Sequence, residues 1–360
     1  AVVAQELLHG SPWWHPTLLK DPYYNKPPLN NWVLAGTFSV LGTSAPWALR
    51  LPGVLALVLA AGMVFALARH ELGQQIAAIA ALLFLCGVEL LFYGSVYAGE
   101  IDPLYTLICT AHAGAFYLYG WRRWQPWRLW LLTYGLAAAG ALTKGPPSIV
   151  LQGLTLLIVV VGRRQWWALL RPAHLVGLAL WLLLVPGYFW LYHAWGGDVQ
   201  AFLIRQFWES SHLTVTEPGV LESLLGLLKA PGLLLYMALP ATAFALLGLH
   251  PRLRGAVWQQ PLLRFALLFL ALNLLPYILA PGVRNRYLYF FLPWVAVLGA
   301  GSWQLAAQQG RVWADGLLKG LLATLAVLLV AGILGAPFYF PFPNQTLYFA
   351  LGVPSAVLAL

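Results

Sequence analysis

Four short stretches of this sequence gather ionisable side chains in patterns that could carry out group transfer. Gly99-Glu-Ile-Asp-Pro103 sets two carboxylates, Glu100 and Asp102, directly before a proline. A carboxylate so placed can take a proton from an attacking hydroxyl or phosphate. Pro103 suits the first turn of a helix, so Asp102 is equally a candidate N-cap. Asn25-Lys-Pro-Pro-Leu29 places Lys26 before two prolines, which hold its backbone extended and project the ammonium from a stiff loop. That geometry suits a phosphate; a lysine snorkelling to headgroups is the alternative. Leu142-Thr-Lys-Gly-Pro-Pro147 repeats the logic with Lys144, although its glycine and prolines would serve a tight turn by themselves. Arg284-Asn-Arg-Tyr-Leu-Tyr289 offers Arg284 and Arg286 to clamp a phosphate, and Tyr287 and Tyr289 to stack on a sugar or lipid. An interfacial aromatic belt is the competing account.

The elements that must position these residues are membrane helices. Of 360 residues, 61% are hydrophobic and only 9% charged, with a mean hydropathy of +0.76. A soluble domain carries roughly a quarter charged residues. Apolar runs near the length that crosses a bilayer recur from Leu51 to Leu360. Soluble enzymes, nucleic-acid-binding domains and disulfide scaffolds are excluded, and so is a β-barrel, because the runs are continuous rather than alternating. The two cysteines, Cys86 and Cys109, sit inside apolar segments and have no metal-type spacing. The expected fold is an all-α, polytopic transmembrane helical bundle with spans at 51–69, 76–95, 103–120, 129–143, 147–162, 173–194, 231–249, 265–280, 288–305, 316–334 and 345–360. A longer outer loop covers 195–230. Residues 1–50 form a separate outer region, with Ala1–His9 and Asn30–Leu41 as helices lying along the interface.

Charge orients the bundle. Alternate loops hold twelve of the 20 basic residues (Arg69, Arg122, Arg123, Arg128, Arg163, Arg164, Arg171, Arg252, Arg254, Arg264, Arg311 and Lys319) against two acids, Glu71 and Asp315. The positive-inside rule makes that side cytoplasmic and puts residues 1–50 and the four charged stretches outside. The net charge of +9 is then topological and calls for no nucleic acid. An odd number of spans with an outside start implies a cytoplasmic tail and at least one span upstream of Ala1. His193, Glu209, His212 and Glu217 of the outer loop could bind a metal but lack compact ligand spacing. Glu89 and His112, inside spans, are expected to pair with polar neighbours.

With these residues placed, the sequence resembles the polyprenyl-phosphate-sugar-dependent integral-membrane glycosyltransferases of the GT-C fold. Within them it is similar to the lipid A aminoarabinose transferases and the protein O-mannosyltransferase-like group. The resemblance is carried by Val3–Gly10, Tyr24-Asn-Lys-Pro-Pro-Leu-Asn-Asn-Trp32, Ala48–Pro52, Glu100-Ile-Asp102, Ala141–Pro146 and Arg286–Pro293, in the family's order. It implies a sugar donor linked to a polyprenyl phosphate and a lipid, glycan or protein acceptor. The active site would face the periplasm from a bacterial inner membrane. By the same resemblance, Asp102 and Glu100 are the acidic catalytic site on the second outer loop. Lys26 matches the family's lysine that contacts the carrier phosphate; Tyr24, Lys144, Arg284, Arg286 and Tyr287 are the further substrate-binding candidates that their own chemistry offers. The family's main catalytic aspartate lies in an Asp-Glu motif just upstream of the stretch matching Ala1–Gly10, so this chain alone is expected to be inactive. The family often has an acid before the lysine, whereas Asn25 stands here. A divalent metal is therefore a cofactor the resemblance raises without supplying its ligand. A transporter or flippase for a lipid-linked sugar is the alternative function; it would place charged pairs near the bilayer midplane and broken helices in matching halves.

Overall fold

The computed structural model describes residues 1–92, 99–211, 220–279 and 283–310, with scattered positions beyond. It divides into Ala1–Ser302 and Trp303–Leu360. The expected spans 316–334 and 345–360 lie largely outside the described residues.

Among its described residues the first unit is helical apart from a hairpin of two-residue strands at Thr17–Leu18 and Asp21–Pro22. Its helices are α1 Val2–Leu8, α2 Leu29–Leu41, α3 Pro46–Leu72, α4 Gln74–Leu85, α5 Val88–Phe92, α6 Asp102–Ala115, α7 Pro126–Lys144, α8 Pro147–Arg163 and α9 Pro172–Ala194. Then follow α10 Val199–Ser211, α11 Val220–Met237, α12 Ala241–Ala245, α13 Arg254–Gln259, α14 Pro261–Ile278 and the beginning of α15 Leu292–Gln308. Proline stands in the first turn of α3, α6, α7, α8, α9 and α14. There its missing N–H is one the helix start leaves unpaired anyway. Among the described residues four continuous helices are long and apolar enough to cross a membrane: α3, α9, α14 and the run Asn285–Gln308. Leu55 and Leu59 of α3 and Leu183 and Trp190 of α9 lie exposed on the outside of the bundle, as lipid-facing side chains do. Inside, α7 and α9 approach closely: a Cβ on Gly177 would lie 2.8 Å from the Trp130 carbonyl oxygen, so only glycine fits.

Two expected spans are broken rather than continuous. Segment 76–95 divides into α4 and α5 at Cys86-Gly87, and segment 231–249 bends by 106° between Leu227–Met237 and Ala241–Leu249. Pro240 at the second break has no N–H to carry the helix on. The two breaks meet, because the Val88 N–H donates to the Leu239 carbonyl over 2.9 Å. Each satisfies a backbone group the other has freed, which is what lets irregular backbone persist inside a bundle. Periodicity along one chain cannot show this.

Helices α1 and α2 pack on each other and on the start of α3 through Ala4, Leu7, Leu34, Ala35, Phe38 and Ala48. A Glu6 carboxylate that accepts from the Thr17 hydroxyl ties the hairpin to α1. At the far end of α3, Glu71 accepts from Arg122 over 2.6 Å. Twenty-seven residues of helix, about 40 Å at 1.5 Å per residue, separate that arginine-bearing end from the end where residues 1–50 gather.

Candidate active site

The Pro46 end of the bundle holds a cavity of about 300 Å³. Four segments far apart in sequence wall it: the turn before α2, the start of α6, the end of α7 and the 3-10 helix Asn285–Phe291. Each contributes charge: Lys26, Glu100 with Asp102, Lys144, and Arg286.

Asp102 does not cap its helix. Ile101 occupies the cap position and no side chain closes the end; the Asp102 carboxylate instead accepts from Lys144 Nζ at 2.5 Å. Both side chains are buried, at 2% and 5% exposed. The turn at Lys144 is therefore more than a tight turn. Gly145, at φ +80° and ψ −138°, reverses the chain where a side chain would be strained, and this aims Lys144 inward. The ammonium sits 5.0 Å from the Tyr105 ring centre and 4.7 Å from that of Tyr287, so it is sandwiched by aromatic faces as well as paired. Glu100 accepts from Arg286 Nη1 at 2.9 Å, and this second pair is open to the cavity, with side chains 28% and 34% exposed. Among the lining side chains three cations face two carboxylates, an excess that draws an anionic group.

The 3-10 helix is anchored from behind. The buried Glu89 carboxylate accepts from the Asn285 amide at 3.2 Å and from the Tyr289 hydroxyl at 3.3 Å. His112 pairs with the Gln152 amide oxygen at 2.5 Å. Glu89 and His112 thus both meet polar neighbours.

Two expected substrate residues stand elsewhere. Tyr24 packs against the buried Tyr188, Tyr192 and Phe202, while Tyr23 lines the cavity, because neighbouring residues of an extended segment point opposite ways. Arg284 is exposed and extended (φ −102°, ψ 148°) before the 3-10 helix begins, and only Arg286, inside the helix, turns into the cavity. Sequence reasoning missed Asn30 and Asn31, which α2 presents to the cavity in its first turn. Helical phase counted from Pro28 would have found them. It also missed Gln206 of α10, for which the sequence carries no local signal.

The residues present do not fit a divalent metal. Among the described residues no three His, Cys, Asp or Glu side chains converge, and both cavity carboxylates are engaged by cations. Of the outer-loop metal candidates only His193 has a described side chain; it lies beside Asp198 at a shallow depression. Nearby, burial against Tyr192, whose ring meets His15 edge-on at 4.9 Å, holds the His15 pKa below the ordinary histidine value.

The chain is a multi-pass helical bundle with a GT-C-like fold. Across 99% of its length it superposes on the crystal structure of ArnT from Cupriavidus metallidurans bound to undecaprenyl phosphate, with a TM-score of 0.72 at 19% identity, covering 64% of that chain. Residues 25–190 match the family described as dolichyl-phosphate-mannose-protein mannosyltransferase. The chain is 29% identical to the undecaprenyl phosphate-alpha-4-amino-4-deoxy-L-arabinose arabinosyl transferase of Edwardsiella ictaluri, over 94% of its own length and 62% of that protein. It is 28% identical to one from Sodalis glossinidius over 88% and 54%. It therefore spans less than two thirds of these relatives. The chain is similar to the lipid A aminoarabinose transferases and has the GT-C fold they share.

Proposed function

We propose that the protein transfers a sugar, an aminoarabinose, from undecaprenyl phosphate to a lipid acceptor on the periplasmic face of a bacterial inner membrane. The observation that carries this reading is the cavity itself. Three cations and two carboxylates meet at the end of the bundle opposite the arginine-rich end. In this reading Lys26 and Arg286 hold the donor phosphate, and the buried Lys144–Asp102 pair keeps a fixed field beneath it. Glu100, the more exposed carboxylate, takes the proton of the acceptor oxygen as that oxygen attacks the anomeric carbon. The bond from that carbon to the phosphate oxygen breaks, and the phosphate leaves with the electron pair. Cations already in place stabilise the developing charge without reorganising. The arabinosyl transferase names of the relatives support the donor. Positive-inside orientation supports the periplasmic face.

The test reconstitutes the whole protein with an undecaprenyl-phosphate-linked aminoarabinose and lipid A. Mass spectrometry should show one aminopentose added to the lipid and free undecaprenyl phosphate released. Glu100→Gln should abolish both. Movement of the lipid-linked sugar between leaflets with no transfer would instead establish the flippase reading.

A further inference from the structure

We infer that Gln206 is a positioning residue that clamps the two lysine-bearing turns together and so sets the grip on the donor phosphate. The inference rests on the reading above for its ligand, but its structural half stands alone. Gln206 lies in α10, outside every motif that carries charge, yet its side chain is buried at 1% exposed. Its amide nitrogen donates to the Tyr24 carbonyl at 2.9 Å and also to the Asn25 carbonyl. Those are the two peptide groups directly before Lys26. Neither carbonyl belongs to a regular element, so this amide fixes the path of the chain into Pro27 and Pro28.

The other half of the same amide sits over the second turn. A Cβ placed on Gly145 would fall 3.1 Å from Gln206 Oε1 and 3.9 Å from Pro27 Cγ. Gln206 Oε1 and Pro27 therefore both face Gly145, next to Lys144, although that oxygen makes no hydrogen bond there and the approach is one of packing. Lys144 is already pinned by Asp102 and two rings. The Gln206 amide holds the two carbonyls before Lys26 and packs against Gly145, so it relates the position of one lysine-bearing turn to the other. A short polar clamp of this kind acts on ground-state binding of the phosphate more than on the chemical step, since it touches neither reacting group.

The experiment compares Gln206→Met, which keeps the volume and removes the donor, with Gln206→Glu, which is isosteric and also removes it. Each should raise the donor KM about tenfold, the scale of one or two lost neutral hydrogen bonds, with kcat within about twofold. Gln206→Met added to Lys26→Ala should raise KM no further, whereas added to Arg286→Ala it should multiply the effect. Amide exchange, read without any substrate, should quicken at 23–26 and at 143–145 in both variants. Faster exchange with no donor effect would overturn the link to phosphate grip. Unchanged exchange in either turn would overturn the clamp itself, whatever the enzyme does. A wild type that exchanges as expected but transfers no sugar would count against the proposed function and leave the clamp standing.

Discussion

Separating the two charges of Asp102 and Lys144 should damage the fold, and removing both should not. At 2.5 Å and an effective dielectric near 20, two unit charges attract by roughly 7 kcal/mol. Desolvating both offsets much of that, so the pair adds little net stability, while a lone buried partner costs about 3–5 kcal/mol. Asp102→Asn leaves Lys144 charged between Tyr105 and Tyr287; Lys144→Gln leaves a carboxylate 2% exposed with its cation gone. At about 2.1 cal/mol/K per residue, such a loss lowers the melting temperature of a chain this size by roughly 4–7 °C. The double variant Asp102→Asn/Lys144→Gln replaces an ion pair with an amide pair and should return to within about 2 °C of wild type. Sugar transfer should stay lost in all three, because the fixed field beneath the phosphate is gone. A thiol-reactive dye read during heating reports the transition, since Cys109 is buried. Single variants that melt within a degree of wild type would refute the buried-pair reasoning. So would a double variant no more stable than the worse single.

The second pair should behave in the opposite way. Arg286→Lys at the half-open Glu100 contact should cost under about 1 kcal/mol of stability yet cut transfer strongly, checked by melting and initial rates in parallel. Gly145→Ala should strain its turn by about 1–3 kcal/mol and press on Gln206, raising the donor KM. His15, whose pKa burial lowers from 6.5, binds fewer protons folded than unfolded. Stability should accordingly fall as the pH drops through and below 6.5, and a pH series of melting curves for His15→Gln should be flatter than for wild type. Cysteines introduced at Lys20 and Arg163 should label from opposite sides of the membrane; labelling of both from one side would overturn the orientation.

Much of the architecture was legible in sequence because bilayer solvation is a one-dimensional constraint. Runs of apolar residues marked α3, α7, α8, α9 and α14, though not the first-turn prolines at Pro46, Pro126 and Pro261 where three of them begin. The charged stretches stood out for the same reason, since a carboxylate or ammonium at a membrane boundary is expensive and has to be explained locally. What only the tertiary structure decided was pairing. Asp102 reads as a helix cap until Lys144, 42 residues away, is seen against it. Lys144 reads as part of a turn until Asp102 and two rings enclose it. The breaks at Gly87 and Pro240 make sense only together, since each meets a backbone group freed by the other. Gln206 carries no signal at all, being one neutral amide in an amphipathic helix. Sequence states which groups water or lipid would leave unsatisfied; the partner that satisfies each is set by distances between segments, which no local pattern contains.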